Sequence, residues 1–185
     1  MPASKPTRER KASADSVSIA DTIRSSTPFK KYESILDLIL KQFDAHALFE
    51  EAKALHAGRK SRNLKVKNIA PMTLAEANLQ DVSHRARLVE VRVSITEHAS
   101  SLATAIKAAK RATLIRYSPD IDVSGVTAKR LYVERFFKEG EAYLAEMNMI
   151  MDSLDHFIKD IDQAGYAMKN TVALLNMVYR PENKI

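Results

Sequence analysis

Residues 136–178 read FFKEGEAYLAEMNMIMDSLDHFIKDIDQAGYAMKNTVALLNMV. Apolar side chains recur in this stretch at alternating steps of four and three residues, which is a heptad repeat. The adjacent positions are apolar with the same period, so each heptad presents three apolar residues instead of the two in a coiled-coil seam. A face of that width is typical of a bundle helix. The pattern predicts a long helix over residues 127–180, with Gly165 as the expected kink or boundary.

The apolar face of so long a helix needs partners. At 1.5 Å per residue the helix would be on the order of 75 Å long. A small domain does not bury such a helix alone, so helices of this chain or of further copies are expected to cover it. We therefore predict a homo-oligomer that associates through the heptad face, at Tyr143, Met147, Ile150, Leu154, Phe157, Ile161, Met168 and Leu175.

The composition fits the same architecture. The 185 residues are 45% hydrophobic and include only four glycines and six prolines, which predicts an all-α, elongated bundle of two or three long helices. There is no cysteine, which excludes disulfides and thiolate metal sites. No apolar run approaches the ~18 residues that span a bilayer, and no signal-peptide core is present. We expect an intracellular protein without membrane contact.

The N-terminal part divides into two segments. Residues 1–27 are polar and rich in serine, which predicts a flexible basic arm. Residues 28–67 are interpreted as a helix and a basic loop that form an extension separate from the bundle domain. Its helix is expected to run from Pro28, with Thr27 as its cap, to His56, before a basic loop.

Residues 68–185 are predicted to form the bundle domain. Its first helix is expected to start at Thr73, because Thr73 and Glu76 have the spacing of a capping box. It would end near Tyr117, before the turn-rich residues 117–126, and the heptad helix follows.

Charges separate along this domain. Residues 84–117 contain seven basic and two acidic side chains, whereas residues 134–162 contain three basic and eight acidic ones. Helices of opposite sign can pair within the chain or between subunits. Basic surface that stays unpaired would favour polyanions such as nucleic acid.

Two clusters are candidates for nucleic-acid contact. Exposed lysine and arginine side chains displace condensed counterions from phosphates, and an aromatic ring can stack on a base. The first cluster ends the basic helix and contains Lys107, Lys110, Arg111 and Arg116, with Tyr117 as a stacking candidate. The second is an accessory patch at Arg59, Lys60, Arg62, Lys65 and Lys67. A solvated loop, or cations that complement a helix dipole, are the structural alternatives.

Catalytic patterns are absent from the sequence. The five histidines form no His-x-x-x-His pair, and the glycines are too scattered for a phosphate loop. A di-metal site in a bundle needs Glu-x-x-His units, which this chain lacks. We therefore expect a non-enzymatic protein without metal or cofactor.

The order of features after residue 73 resembles the UvsY recombination mediators of T-even-type bacteriophages. The basic helix ends in AIKAAKRATLIRYSP, a turn-rich break follows, and the last helix contains LDHFIKDIDQAGYAMKN. The last segment is similar to the family's pattern of an acid, an Ile-rich turn, a glycine-aromatic pair and a lysine. Thr113 departs from the family, which has a second basic residue at that place.

The resemblance implies a function. Such a protein would bind single-stranded DNA without sequence preference as a ring-like oligomer. It would help to remove the single-strand-binding protein and load a RecA-like recombinase, without hydrolysing anything itself. A regulatory coiled-coil adaptor is one alternative, and the other is a helical structural or assembly protein of a virion or another large complex. Its N-terminal arm and heptad helix would then bind neighbouring subunits.

Overall fold

The computed structural model describes residues 18–64 and 70–179, and these residues form helices without any strand. Three shorter helices come first, followed by two long ones on either side of a short one. The helices are α1 (Ile19–Ser25), α2 (Thr27–Gln42), α3 (Ala45–Ala57), α4 (Pro71–Tyr117), α5 (Val126–Glu134) and α6 (Lys138–Tyr179). Single 3₁₀ turns cover Lys60–Asn63 and Arg135–Phe137. The all-α prediction is confirmed.

The two long helices, α4 with 47 residues and α6 with 42, pack antiparallel. Arg85 lies 2.6 Å from Asp162 near one end, and Lys110 lies 2.5 Å from Glu141 near the other. Arg92 also pairs with Asp155 between them. The basic and acidic helices thus pair within one chain, which is one of the two arrangements that their charges allowed.

Helices α2 and α3 pack against α4 and run antiparallel to it. The predicted single helix from Pro28 to His56 is wrong, because the chain bends at Phe43 and Asp44. The Asp44 carboxylate caps α3 by accepting a hydrogen bond from the Ala47 N–H at 2.8 Å. Phe43 lies just outside α2, and its ring stacks on His98 of α4, with 3.9 Å between the ring centroids. A tertiary contact therefore accompanies the break.

The prediction of a flexible arm over residues 1–27 is wrong from residue 19 onward. Residues 19–25 form α1, and Ser26, not Thr27, caps α2 through a hydrogen bond from the Phe29 N–H. Ile23 of α1 is fully buried in the core. Residues 1–17 of the predicted arm lie outside the described residues.

The boundaries of the long helices also differ from prediction. Helix α4 begins at Pro71 with Ala70 at the N-cap, and no side chain caps it, so the predicted capping box at Thr73 is wrong. Proline suits the first helical position because its φ is already helical and it has no N–H to satisfy. The predicted last helix is interrupted at Arg135–Phe137, whereas α6 continues through Gly165 without a break.

One hydrophobic core joins α1, α2 and α3 to α4 and α6. Four of the residues predicted to join copies of the chain are buried in this core within one chain: Met147, Ile150, Leu154 and Ile161. Tyr143 and Phe157 are half-buried and pack against the same core, and Leu175 is half-buried. For the four buried residues the prediction of oligomer contacts is wrong, because the core of the same chain already covers them. Met168 is 8% exposed and lies outside this core, where it lines a groove between α4 and α6.

Candidate nucleic-acid interface

Two of the four predicted phosphate contacts on α4 form a pair on its solvent face. Lys107 and Arg111 are one helical turn apart and both are exposed. Lys110 instead faces α6, where its Nζ lies 2.5 Å from Glu141 Oε1. Arg116 is exposed near the end of the helix, and its guanidinium lies 5.5 Å from the centroid of the Tyr117 ring. The four cations therefore do not share one face.

Tyr117 is not available for stacking on a base. Its residue surface is only 7% exposed, because the last turn of α4 packs into the hydrophobic core. Thr113, one turn earlier, is 1% exposed. The prediction of Tyr117 as a stacking residue is wrong. The threonine that departs from the family's basic pattern also points away from solvent, so this position cannot contact DNA.

Arg59 of the predicted accessory patch is buried. Its Nε lies 2.9 Å from Asp81 Oδ1 and its second terminal nitrogen lies 3.0 Å from Asp81 Oδ2, which makes a two-bond ion pair. Its other terminal nitrogen donates to Asp160 Oδ2 at 2.9 Å. Burial alone would lower the pKa of Arg59, but the hydrogen bonds and charges of Asp81 and Asp160 raise it above its ordinary value. The prediction that Arg59 contacts phosphate is wrong.

Arg62 joins the same cluster. It donates to Asp160 Oδ2 at 2.9 Å and lies against both ring nitrogens of His56, and His56 Nε2 lies 2.7 Å from the same Asp160 oxygen. The His56 ring also stacks on Phe157, with 4.2 Å between centroids. Burial, followed by the positive charge of Arg62, lowers the pKa of His56 although the hydrogen bond to Asp160 raises it. These contacts anchor the connection between α3 and α4.

Of the other three residues of the accessory patch, only Lys60 lies in the described part of the chain. Lys60 is exposed, and its backbone N–H donates to Gln80 Oε1 at 2.9 Å. Lys65 and Lys67 lie outside the described residues.

Charge is distributed unevenly between the two ends of the bundle. We call residues 19–31 and 104–141 the basic end; they contain 11 lysines and arginines and six acidic residues. Residues 44–64, 70–100 and 142–179, the acidic end, contain nine basic and 12 acidic residues. Among the described residues, six of the nine cations at the acidic end make ion pairs, but only Lys110 and Arg130 do so at the basic end. Most positive charge at the basic end is therefore open to an anionic ligand.

A cleft of about 510 Å³ lies within the basic end, where α1, α5 and the start of α6 meet. It combines three exposed cations, one carboxylate and two half-buried aromatic rings: Arg24, Lys138, Arg135, Glu139, Tyr132 and Phe136. The Arg135 guanidinium lies 4.4 Å from the centroid of the Tyr132 ring, and the Arg24 guanidinium lies 5.8 Å from that of Phe136. The two rings meet edge to face at 5.6 Å.

The sequence contains a signal for this cleft that the heptad interpretation obscured. Residues 129–138, KRLYVERFFK, interleave four basic side chains with three aromatic ones. Basic and aromatic residues in alternation are typical of surfaces that bind single-stranded nucleic acid. Phe136 also fits the heptad repeat, so its apolar character was assigned to packing. Arg24 has no such signal, because it joins the cleft only through the fold.

Metal ligands do not cluster in the described part of the chain, where no group of three or more histidine and carboxylate side chains is placed to bind an ion. Among residues 18–64 and 70–179, no helix combines the length and apolarity that crossing a bilayer requires. The arrangement of the basic end suits the binding of phosphate groups and the stacking of rings. No protein-family model matches the chain, and no curated protein or solved structure is significantly similar to it.

Proposed function

We propose that the chain is a non-enzymatic accessory protein that binds single-stranded DNA at its basic end. The observation that carries this proposal is the set of cations at that end that have no ion-pair partner among the described residues. A DNA strand supplies one negative charge per nucleotide. Cations that are not already neutralised by carboxylates gain most from releasing its counterions.

Lys107 and Arg111 are the side chains that we assign to the strand's phosphates on α4. They are exposed, they are one turn apart, and neither forms an ion pair with a described residue. Arg116 extends the same end of the helix. Lys110 is assigned a smaller role because Glu141 neutralises it.

The resemblance to the UvsY recombination mediators extends the proposal to a partner. The protein would hold the strand while a RecA-like recombinase replaces the single-strand-binding protein. Sequence-tolerant phosphate contact suits that task, because a mediator must act on any strand. The homo-oligomer implied by the resemblance would use surfaces other than the buried part of the heptad face.

Fluorescence anisotropy with a labelled oligonucleotide tests the DNA proposal. The variant Lys107→Ala/Arg111→Ala is expected to weaken binding by about tenfold. It is also expected to reduce the slope of log K against log salt by about 1.4, since each contact with a single strand contributes roughly 0.7. The matched control is Lys159→Ala/Lys169→Ala, which removes two exposed lysines at the acidic end of α6. Equal losses in both variants would assign the effect to net charge and refute the site.

A second candidate function is that of a structural or assembly protein. The specific observation is that α4 and α6 extend beyond α3, which leaves an apolar groove of about 500 Å³ between them. Met168 and Leu175 line this groove, and Leu79, Leu174 and Met177 nearby are largely exposed. Exposed apolar surface of this kind is typical of protein contacts.

Mass photometry on the sample used for anisotropy separates the two candidates. A DNA-binding mediator is expected to form a closed oligomer alone and to bind the oligonucleotide at low salt. A scaffold component would be indifferent to DNA at every salt concentration.

A further inference from the structure

The cleft between α1, α5 and α6 differs from the remaining surface of the basic end. Arg24, Arg135 and Lys138 approach it from three separate elements, α1, the 3₁₀ turn and α6. Lys107 and Arg111, by comparison, project from a convex helix face. Cations that converge on one concave space suit a compact anion, whereas a row of cations suits an extended strand.

The charge of the cleft defines the kind of anion. Three cations and the Glu139 carboxylate give the lining a formal charge of about +2 at neutral pH. None of the three cations forms an ion pair with a described residue. A phosphodiester within a strand carries one negative charge, whereas a terminal phosphate monoester carries about −1.5 to −2. The terminal group therefore complements the cleft better than an internal one.

The aromatic walls define what is attached to the anion. Tyr132 and Phe136 are half-buried, so one part of each ring packs against the protein and the other part faces the cleft. Arg135 and Arg24 already lie near these rings, at 4.4 and 5.8 Å from their centroids. Each guanidinium lies over the face of its ring, so a base would contact the exposed part of the ring that the guanidinium leaves uncovered, while the guanidinium contacts the attached phosphate.

We propose that this cleft binds a terminal nucleoside phosphate monoester, the group present at a phosphorylated strand end and in a free nucleoside monophosphate. As a strand-end site, the cleft rests on the proposed binding of single-stranded DNA and adds a preference for one end of the strand. Arg24, Arg135 and Lys138 contact the phosphate oxygens. Phe136 and Tyr132 contact the base.

Competing oligonucleotides of about 15 nucleotides with identical sequence test the proposal. They carry a 5′-phosphate, a 3′-phosphate or no terminal phosphate, and the full-length protein is used. One phosphorylated form is expected to bind about fivefold to tenfold more tightly than the unphosphorylated one. Because a phosphate monoester takes up a proton near pH 6, the preference is expected to decline between about pH 7.5 and about pH 5.5. Equal binding of all three forms refutes the cleft assignment but leaves the DNA proposal intact, whereas no binding of any form refutes the DNA proposal.

Two variants locate the preference. Arg135→Gln/Lys138→Gln is expected to abolish the preference, because two of the three cations that contact the phosphate are lost. Both side chains are exposed, so their replacement leaves the core unchanged. Lys107→Ala/Arg111→Ala is expected to weaken all three oligonucleotides equally and to retain the preference. A preference that survives in the cleft variant, or that disappears in the α4 variant alone, overturns the proposal. Circular dichroism checks that both variants are folded.

Competition identifies the source of the monoester. Deoxyadenosine monophosphate is expected to remove the preference at lower concentration than inorganic phosphate, because its base adds contacts with the rings. If the preference persists in millimolar nucleotide, the cleft selects strand ends alone. If inorganic phosphate competes as well as the nucleotide, the aromatic part of the proposal is wrong.

Discussion

At the scale of single residues, one buried ion pair fixes the connection between α3 and α4. Arg59 and Asp81 are 1% and 2% exposed, and they are joined by two hydrogen bonds. Removing one member of such a pair leaves the other charge buried without compensation, which costs about 3–5 kcal/mol. Asp160, the third member, is half exposed and can be hydrated instead. The stability of this connection therefore depends mainly on Asp81 having its partner.

We predict that Arg59→Met lowers the free energy of unfolding by about 3–5 kcal/mol in urea titrations. The double variant Arg59→Met/Asp81→Leu is expected to recover most of the loss, because no buried charge remains unpaired. Lys60→Met, at an exposed neighbouring position, is the control and should change stability by less than about 0.5 kcal/mol. A single variant as mild as this control would contradict the buried pair.

His56 makes stability depend on pH. Burial and the nearby positive charge of Arg62 disfavour the charged ring, although its Nε2 lies 2.7 Å from Asp160 Oδ2. Folding lowers the pKa of His56, so the unfolded chain takes up the proton first as the pH falls. The loss of stability therefore begins near the unfolded pKa of about 6.5 and is complete below the lower pKa of the folded state.

We predict that the urea midpoint falls between about pH 7.5 and about pH 5 by more in the unmodified protein than in His56→Gln. Glutamine keeps an N–H donor for Asp160 but does not titrate. His156→Gln removes an exposed histidine from α6 and should retain the full pH dependence. Asp160 acts in a separate, more acidic range: burial alone would raise its pKa, but the hydrogen bond with His56 and the charges of Arg59 and Arg62 lower it. Identical pH profiles for the unmodified protein and His56→Gln would exclude His56 as the cause.

At the scale of helices, two glycines of α6 have opposite roles. A Cβ on Gly140 would lie 2.6 Å from Tyr32 Oη and 2.9 Å from its Cε2, which is too close for either atom. The Gly140 N–H also donates to the Tyr32 hydroxyl at 3.2 Å. A Cβ on Gly165 would meet nothing within 4 Å. Gly140 is therefore required by the packing of α2 on α6, whereas Gly165 only weakens the helix.

We predict that Gly140→Ala destabilises the protein by about 1–3 kcal/mol through this overlap. Gly165→Ala is expected to stabilise it by up to about 1 kcal/mol, because alanine has the higher helix propensity. Thermal unfolding of the two variants provides the comparison within one helix. Destabilisation by Gly165→Ala would mean that α6 needs flexibility at this position.

Local sequence patterns were sufficient to predict the two long helices, but not all of their boundaries. The heptad period of α6 and the turn-rich residues after Tyr117 identify the long helices. The bend at Phe43 was not predictable, because the apolar period continues through it and the stacking partner His98 is distant in sequence. The capping box at Thr73 was misleading, because Pro71 supplies an earlier start. Features that depend on distant residues were the ones that local patterns missed.

At the scale of the whole molecule, the fold determines which basic residues are paired with carboxylates and which remain exposed to solvent. Arg59 and Arg62 belong to a run of basic residues, yet both pair with Asp160, about a hundred residues away. Lys107 and Arg111 remain open because both lie on the exposed face of α4. Net charge thus predicted a polyanion partner, but only the packing of the helices identifies the end that would bind it.

The separation of the two ends can be tested in a DNA complex. The 42 residues of α6 extend on the order of 60 Å from the basic end to the acidic end. Because the chain contains no cysteine, a single dye can be attached at either end through Val126→Cys or Met177→Cys, whose native residues are 86% and 75% exposed. We predict efficient energy transfer from a short labelled oligonucleotide to the dye at position 126. Transfer to the dye at position 177 is expected to be weak, since the strand's phosphates would be held at the opposite end of the bundle. Comparable transfer to both positions would show that DNA binds along the length of the helices, and stronger transfer to position 177 would place the interface at the apolar groove instead.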